Sequence, residues 1–180
     1  AQSLYLWGPW FESKRTDNMT KKSEKTNSIL AWSSKRILKE ARALRVGYGL
    51  KQTLRYNSRR DFRMHSESVA EHVFSLHYLL EYFLPLEDPK GKLNVEKLHK
   101  IITFHDMGEI LHGDVPYHLK TRAHKDQEYK DTKKIFASLP TSIQKLAKES
   151  WRDYEMQSSL EAEFIYALDK VEPAFELLDP

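Results

Sequence analysis

Apolar residues recur at helical spacing along most of the chain, and this pattern constrains the fold more than any other feature. In residues 28–45, for example, Leu30, Ile37, Leu38 and Leu44 follow a helical period. Only six glycines interrupt the 180 residues, and no segment shows the alternation that is typical of a strand. The pattern predicts an all-α protein, and the length suits one domain with a core of its own.

Capping residues predict where several of these helices begin. Ser68 and Glu71 match a capping box, and so do Ser158 and Glu161, while Asn94 is the expected cap of another helix. The predicted helices cover approximately residues 28–45, 68–85, 94–113, 124–137, 141–151 and 158–178.

The first 27 residues differ in composition from the rest of the chain. Residues 1–10 are aromatic and uncharged, whereas residues 13–27 are polar and rich in lysine, which is typical of a solvated linker. We therefore expect an N-terminal extension over residues 1–27, followed by one helical domain over residues 28–180.

Composition excludes several classes of function. The chain has no cysteine, which excludes a disulfide scaffold, a cysteine-ligated zinc site and thiol catalysis. No apolar run approaches the ~18 residues of a membrane span and no signal peptide is visible, so we expect a cytoplasmic protein with no membrane partner. The net charge of +3 is too small to indicate nucleic-acid binding.

Three predicted helices each place a potential metal ligand on an apolar face. His105 lies on one such face with Asp106 and Glu109 beside it, His72 lies on the preceding helix, and Asp169 lies on the last helix. Any one of them alone is more commonly a hydrogen-bonded core residue or an ion-pair partner. Because an unpaired buried charge is costly, these side chains must pair with one another or bind a metal ion.

The order of these residues resembles the HD-domain phosphohydrolase superfamily. Within that superfamily the chain is most similar to the small HD nucleotidases that act on deoxynucleoside 5′-monophosphates, and the resemblance covers approximately residues 50–172. The matching segments are SESVAEH at 66–72, HDMGE at 105–109, GDVP at 113–116 and ALDKVE at 167–172.

The resemblance implies a helical bundle around a single divalent-metal site. The implied ligands are His72, His105, Asp106 and Asp169. Imidazole and carboxylate donors without thiolate suit Mn, Co, Ni, Fe, Mg or Zn, and the sequence does not distinguish among these ions.

The resemblance also implies roles for charged residues near that ion. Glu109 would orient or deprotonate the attacking water, and Asp114 would protonate the leaving oxygen or assist the base; alternatively, Asp114 only caps its turn. Arg55 and then Arg59, both in a basic loop, are the expected phosphate-binding residues because guanidinium groups suit phosphate. No tryptophan adjoins them, which departs from the related nucleotidases. Lys120 is a further candidate that could reach a polyphosphate.

The expected activity is hydrolysis of a deoxynucleoside monophosphate to deoxynucleoside and phosphate. One alternative is a triphosphohydrolase that releases tripolyphosphate from a deoxynucleoside triphosphate, similar to the small HD dATP hydrolases of phages. Another is a non-catalytic HD module that binds a nucleotide. The resemblance also implies a homodimer or larger homo-oligomer.

Overall fold

The structure is a computed structural model, and it describes residues 32–55, 67–115 and 119–176. The chain separates into two units, residues 1–33 and 34–180, and the helices of the described residues belong to the second unit. The extension expected over residues 1–27 lies outside the described residues, and the domain division stays a prediction.

The described residues form seven α-helices and one 3₁₀ helix, with no strand, which confirms the predicted all-α class. The elements are α1 (Ser34–Leu44), the 3₁₀ helix (Arg45–Gln52), α2 (Val69–Glu87), α3 (Val95–Phe104), α4 (Glu109–His112), α5 (Arg122–Ser138), α6 (Thr141–Met156) and α7 (Leu160–Glu176).

Two of the predicted helix starts are confirmed by their caps. The hydroxyl of Ser68 accepts a hydrogen bond from the amide of Glu71, and the Glu71 carboxylate accepts one from the Ser68 amide at 2.6 Å. The side chain of Asn94 accepts from the amide of Lys97 at 3.0 Å. The predicted end of α2 at Pro85 is two residues short, because Pro85 lies within its last turn.

The second capping box is wrong by one residue. Ser159 caps α7, because its hydroxyl accepts a hydrogen bond from the amide of Ala162. The Glu161 carboxylate instead accepts from the amide of Asn94 and from Lys97, and thereby ties the start of α7 to the start of α3. The Glu161 side chain, which the local pattern assigns to capping, therefore makes a tertiary contact instead.

Helix α3 lies at the centre of the bundle and packs against α2, α6 and α7. Its residues Leu98, Ile101 and Ile102 are completely buried, as the helical period requires. A second cluster of buried apolar residues joins the 3₁₀ helix, helices α5 and α6, and the turn that follows α3. No helix among the described residues is both long and apolar enough to cross a membrane.

The predicted third helix is broken near its middle. Regular α3 ends at Phe104, a turn covers residues 105–108, and α4 begins only at Glu109. At Gly108 the backbone lies against α5 so closely that a Cβ there would overlap Oγ1 of Thr132 and lie 3.2 Å from its Cβ. Glycine at this position therefore allows the turn that carries His105 to dock on α5.

We predict that Gly108→Ala destabilises the fold by about 1–3 kcal/mol, the usual cost of overpacking a close contact. Chemical denaturation of the variant measures this loss. Thr132→Ala removes the overlapping hydroxyl, so the double variant should lose less stability than the sum of the two single variants. Simple additivity would contradict the close contact.

Candidate metal centre

Four side chains that the sequence singled out converge at the point where helices α2 and α7 meet the turn that follows α3. Nε2 of His72 lies 3.0 Å from Oδ1 of Asp169 and 3.6 Å from Oδ2 of Asp106. Nε2 of His105 lies 3.1 Å from the same Asp106 oxygen. Ligand atoms of His72, His105 and Asp106 lie within 4.8 Å of one another.

Hydrogen bonds at the far side of each ring determine which nitrogen faces the centre. Nδ1 of His72 lies 2.8 Å from a carboxylate oxygen of Glu172, and Nδ1 of His105 lies 2.8 Å from the carbonyl oxygen of Ile102. Both oxygens only accept, so each Nδ1 donates. In the neutral rings both Nε2 lone pairs therefore point at the oxygens of Asp106 and Asp169.

Lone pairs that face each other at this distance repel unless a proton or a cation lies between them. Nε2 of His105 is buried and has no hydrogen-bond partner among the described residues. Without a metal the rings would have to take up protons. Burial opposes a charge on His72, but its hydrogen bonds to Asp169 and Glu172 prevail and raise its pKa to about 9.

Burial and neighbouring charges also act in opposite directions on the pKa values of His105 and Asp169. Burial opposes a charge on His105, yet the neighbouring Asp106 carboxylate raises its pKa. Burial also opposes ionisation of Asp169, but the hydrogen bond from His72 and the charge of His105 hold its pKa far below the usual range.

These donors fit a divalent cation. Two inward imidazole lone pairs and two carboxylates provide neutral and anionic ligands, and the carboxylates balance a 2+ charge. The bond from Nδ1 of His72 to Glu172 is the outer carboxylate contact that commonly orients a metal-binding histidine. The fit is one of donor chemistry and does not distinguish among Mn, Co, Ni, Fe, Mg and Zn.

Arg55, expected to bind phosphate, lies in a network of carboxylates instead of facing solvent. Its Nη1 lies 2.8 Å from Glu67 and 3.1 Å from Glu172, and its Nε lies 3.6 Å from Asp114. The Arg55 side chain is only 11% exposed. It therefore balances the carboxylate that holds His72, and a phosphate would have to compete with these contacts. Arg59, the second candidate, lies outside the described residues.

Glu109, Asp114 and Lys120 each interact electrostatically with Asp106. Burial and the charges of Asp106 and Asp114 raise the pKa of Glu109 well above its usual 4.5, and its Oε2 has no hydrogen-bond partner among the described residues. Burial also raises the pKa of Asp114, although Arg55 opposes the shift. Lys120 forms an ion pair of 2.9 Å with Glu128.

Three side chains that support the centre were not assigned a role from the sequence. Tyr154 on α6 donates a hydrogen bond of 2.7 Å to Asp169 Oδ2, and its ring packs edge-on against His105 at 4.9 Å between centroids. Glu67 and Glu172 hold Arg55. No motif marks Tyr154, whereas Glu172 stands three residues after Asp169 and therefore on the same helix face.

Comparisons with known proteins found a matching family model and several similar proteins. The family model for the HD domain matches residues 48–179. The chain is 32% identical over 108 residues to the 5′-deoxynucleotidase HDDC2 of Bos taurus. The matched segment covers 59% of this chain and 50% of that protein. It is 31% identical over 94 residues to the 5′-deoxynucleotidase ECA3034 of Pectobacterium atrosepticum, which covers 51% of this chain and 46% of that protein. The chain thus spans about half the length of the curated relatives it matches.

A solved structure is also similar. It is described as a "Predicted metal-dependent phosphohydrolase" from Magnetospirillum magnetotacticum. The two folds superpose with a TM-score of 0.62 at 25% sequence identity, over 77% of this chain and 68% of that chain.

The Arg55 network generates a prediction about stability and pH. Burial raises the pKa of Glu67 from 4.5 to about 7, and the charge of Glu172 adds to the shift while Arg55 opposes it. Between pH 4.5 and about pH 7, Glu67 has lost its proton in the unfolded chain but keeps it in the folded chain. The contribution of Glu67 to the free energy of unfolding therefore falls as pH rises. Relative to wild type, Glu67→Gln should gain stability with rising pH, by at most about 3 kcal/mol.

Denaturation at several pH values from 4 to 8 measures this difference. Glu149→Gln is the matched control, because Glu149 is exposed and its ion pair with Lys145 on the surface contributes little. A difference between Glu67→Gln and wild type that stays constant with pH would contradict the raised pKa.

Proposed function

The chain belongs to the HD domain family, and we propose that it is a metal-dependent phosphohydrolase that converts deoxynucleoside 5′-monophosphates to deoxynucleosides and phosphate. The observation that carries the proposal is the inward orientation of Nε2 of both buried rings, His72 and His105, which face carboxylate oxygens and need a proton or a cation between them. The substrate class is supported by the names of the relatives that the chain resembles.

The proposed ligands are His72, His105, Asp106 and Asp169. When bound, a divalent ion supplies Lewis acidity towards a phosphate ester and makes water a stronger acid. The chain keeps these ligands oriented by contacts on their outer sides, since Glu172 fixes the ring of His72 and Tyr154 fixes the carboxylate of Asp169.

Glu109 is the proposed general base. Its carboxylate is buried next to the centre, and Oε2 has no hydrogen-bond partner among the described residues, so it is available to orient and deprotonate a water. Burial and two neighbouring carboxylates raise its pKa towards the range in which a general base is most effective.

Asp114 and the basic residues act on the phosphate and the leaving group in this proposal. The raised pKa of Asp114 suits a group that delivers a proton to the departing ribose oxygen. Lys120, which interacts electrostatically with Glu109 and Asp106, adds positive charge beside the centre. Arg55 acts mainly as a positioning residue, because three carboxylates surround its guanidinium.

A screen of deoxynucleotides with added divalent ions tests the proposal. The wild-type protein with Mn or Co should release inorganic phosphate from a deoxynucleoside monophosphate, and Asp106→Ala should lose both the bound metal and the activity. Elemental analysis and a phosphate assay measure the two effects. Asp126→Ala, which removes an exposed carboxylate from α5, should keep both.

The products distinguish this proposal from the alternatives. Release of tripolyphosphate from a deoxynucleoside triphosphate would indicate a triphosphohydrolase instead. Tight nucleotide binding without turnover, with every metal tested, would indicate a binding module. Full activity and full metal content in Asp106→Ala would remove that residue from the ligand set.

The role of Glu109 gives a second prediction. Glu109→Gln keeps the shape of the side chain but cannot take up a proton, so kcat should fall by ~10²-fold or more while the metal content stays unchanged. In the wild type, kcat/KM should fall as pH drops through the raised pKa of Glu109, because only the carboxylate accepts a proton. The variant should lose this acid limb, and wild-type turnover in it would exclude Glu109 as the base.

A further inference from the structure

Helix α1 has an apolar face that stays exposed. None of its eleven residues is buried. Ile37 and Leu44 stand seven residues apart with Ala41 between them, so these three side chains form one face of the helix, and Leu38 lies at the edge of that face. Ile37, Leu38 and Leu44 are 42%, 58% and 51% exposed.

A helix as short as α1 needs a packed face to be stable. Isolated helices of fewer than ~12–15 residues are marginal in water, and most helices in proteins are stabilised by the packing of an amphipathic face. The main contact of α1 is with the 3₁₀ helix that follows it, and this contact leaves the apolar face exposed. A further apolar surface that covered this face would therefore stabilise α1.

The charges on α1 indicate the chemistry of that surface. The helix contains four basic residues and one glutamate. The basic residues are Lys35, Arg36, Lys39 and Arg42, and Arg45 follows directly at the start of the 3₁₀ helix. A helix that is apolar on one side and basic on the other is typical of helices that lie in the surface of an anionic membrane.

Other anionic partners match this helix less well. A nucleic acid would attract the basic residues, but its phosphate backbone offers no apolar surface to the apolar face. A protein partner that takes up a basic amphipathic helix does so in a groove. No residue separates α1 from the 3₁₀ helix, in which Leu50 is buried, so such a groove would collide with the domain at this end of α1. A bilayer needs only the one exposed face.

We propose that α1 lies on the surface of a bilayer that contains anionic phospholipids. Its apolar face inserts at the boundary between headgroups and acyl chains, and its basic residues contact the headgroups. Tyr48, which is 62% exposed, adds an aromatic ring of the kind that is enriched at membrane surfaces. Binding of this kind requires no spanning helix, and it departs from the expectation of no membrane partner.

Cosedimentation of the full chain with lipid vesicles is the first test. The chain should bind vesicles that contain phosphatidylserine in phosphatidylcholine, and it should bind pure phosphatidylcholine much more weakly. Binding to the anionic vesicles should weaken as the salt concentration rises, because salt screens the attraction between the basic residues and the headgroups.

Two double variants separate the contribution of charge from that of the apolar face. Arg42→Gln with Arg45→Gln should weaken binding roughly 20-fold, since each basic residue near an anionic surface contributes about fivefold. Ile37→Ser with Leu44→Ser should weaken it about tenfold or more, because two partly exposed apolar side chains no longer become buried in the lipid. All four residues are exposed, so both variants should melt at the wild-type temperature without vesicles.

Lys90→Gln with Lys92→Gln is the matched control for the loss of two charges. The amide of Val69, at the start of α2, donates a hydrogen bond to the carbonyl of Thr53, directly after the 3₁₀ helix. Lys90 and Lys92 are exposed and follow the other end of α2, about 28 Å away along this 19-residue helix. This distance exceeds the screening length several-fold, so the control should bind within about twofold of the wild type.

The second test examines which face of α1 enters the lipid. The chain has no cysteine, so one introduced cysteine carries a single nitroxide label. Ala41→Cys places the label on the apolar face, and Lys39→Cys places it on the opposite side of the helix. On anionic vesicles the label at position 41 should become accessible to oxygen dissolved in the bilayer, while the label at position 39 should stay accessible to a relaxation agent in the water.

Four results would overturn the proposal. They are no binding to vesicles that contain phosphatidylserine, equal binding to pure phosphatidylcholine, wild-type binding by either double variant of α1, and labels at positions 39 and 41 that respond alike. None of these readouts depends on catalytic activity, so they test membrane binding separately from the proposed hydrolysis.

Discussion

Two buried imidazole rings and the buried carboxylate of Asp169 lie beside the partly exposed carboxylate of Asp106, at the point where helices α2 and α7 meet the turn that follows α3. Each ring donates from Nδ1 to an acceptor on its outer side, so the Nε2 lone pairs of His72 and His105 face inward to carboxylate oxygens. A buried cluster of this kind is stable only when protons or a cation neutralise it. A divalent ion meets that need with one particle, which is why the donor set fits a metal.

The surrounding residues balance charges around the centre. Arg55 links Glu67 to Glu172, and Glu172 in turn holds His72. This explains why a residue that the family resemblance assigns to phosphate is nearly buried here. The acidic residues near the centre are of two kinds, which differ in the direction of their pKa shift. Glu172 is fixed by hydrogen bonds that lower its pKa, mainly the one to His72, whereas Glu109 has no such partner among the described residues and its pKa rises.

Much of the fold follows from local sequence, and the exceptions have a common cause. The capping box at Ser68 and the cap at Asn94 depend on contacts within three residues, so the sequence predicts them correctly. Where the local pattern is wrong, at Glu161 and at the break after α3, the structure shows contacts with distant elements. Glu161 accepts hydrogen bonds from Asn94 and Lys97, and the turn at Gly108 packs closely against Thr132 of α5.

The sequence by itself determined the all-α class, through its helical periodicity, and its resemblance to the HD superfamily indicated which residues meet at the centre. Only the tertiary structure decided how those side chains are oriented, which is set by acceptors such as Glu172 and the carbonyl of Ile102. It also revealed Tyr154, which reaches Asp169 from another helix. The reason is physical: hydrogen bonds and burial between distant segments depend on how the helices pack, and no local pattern records that packing.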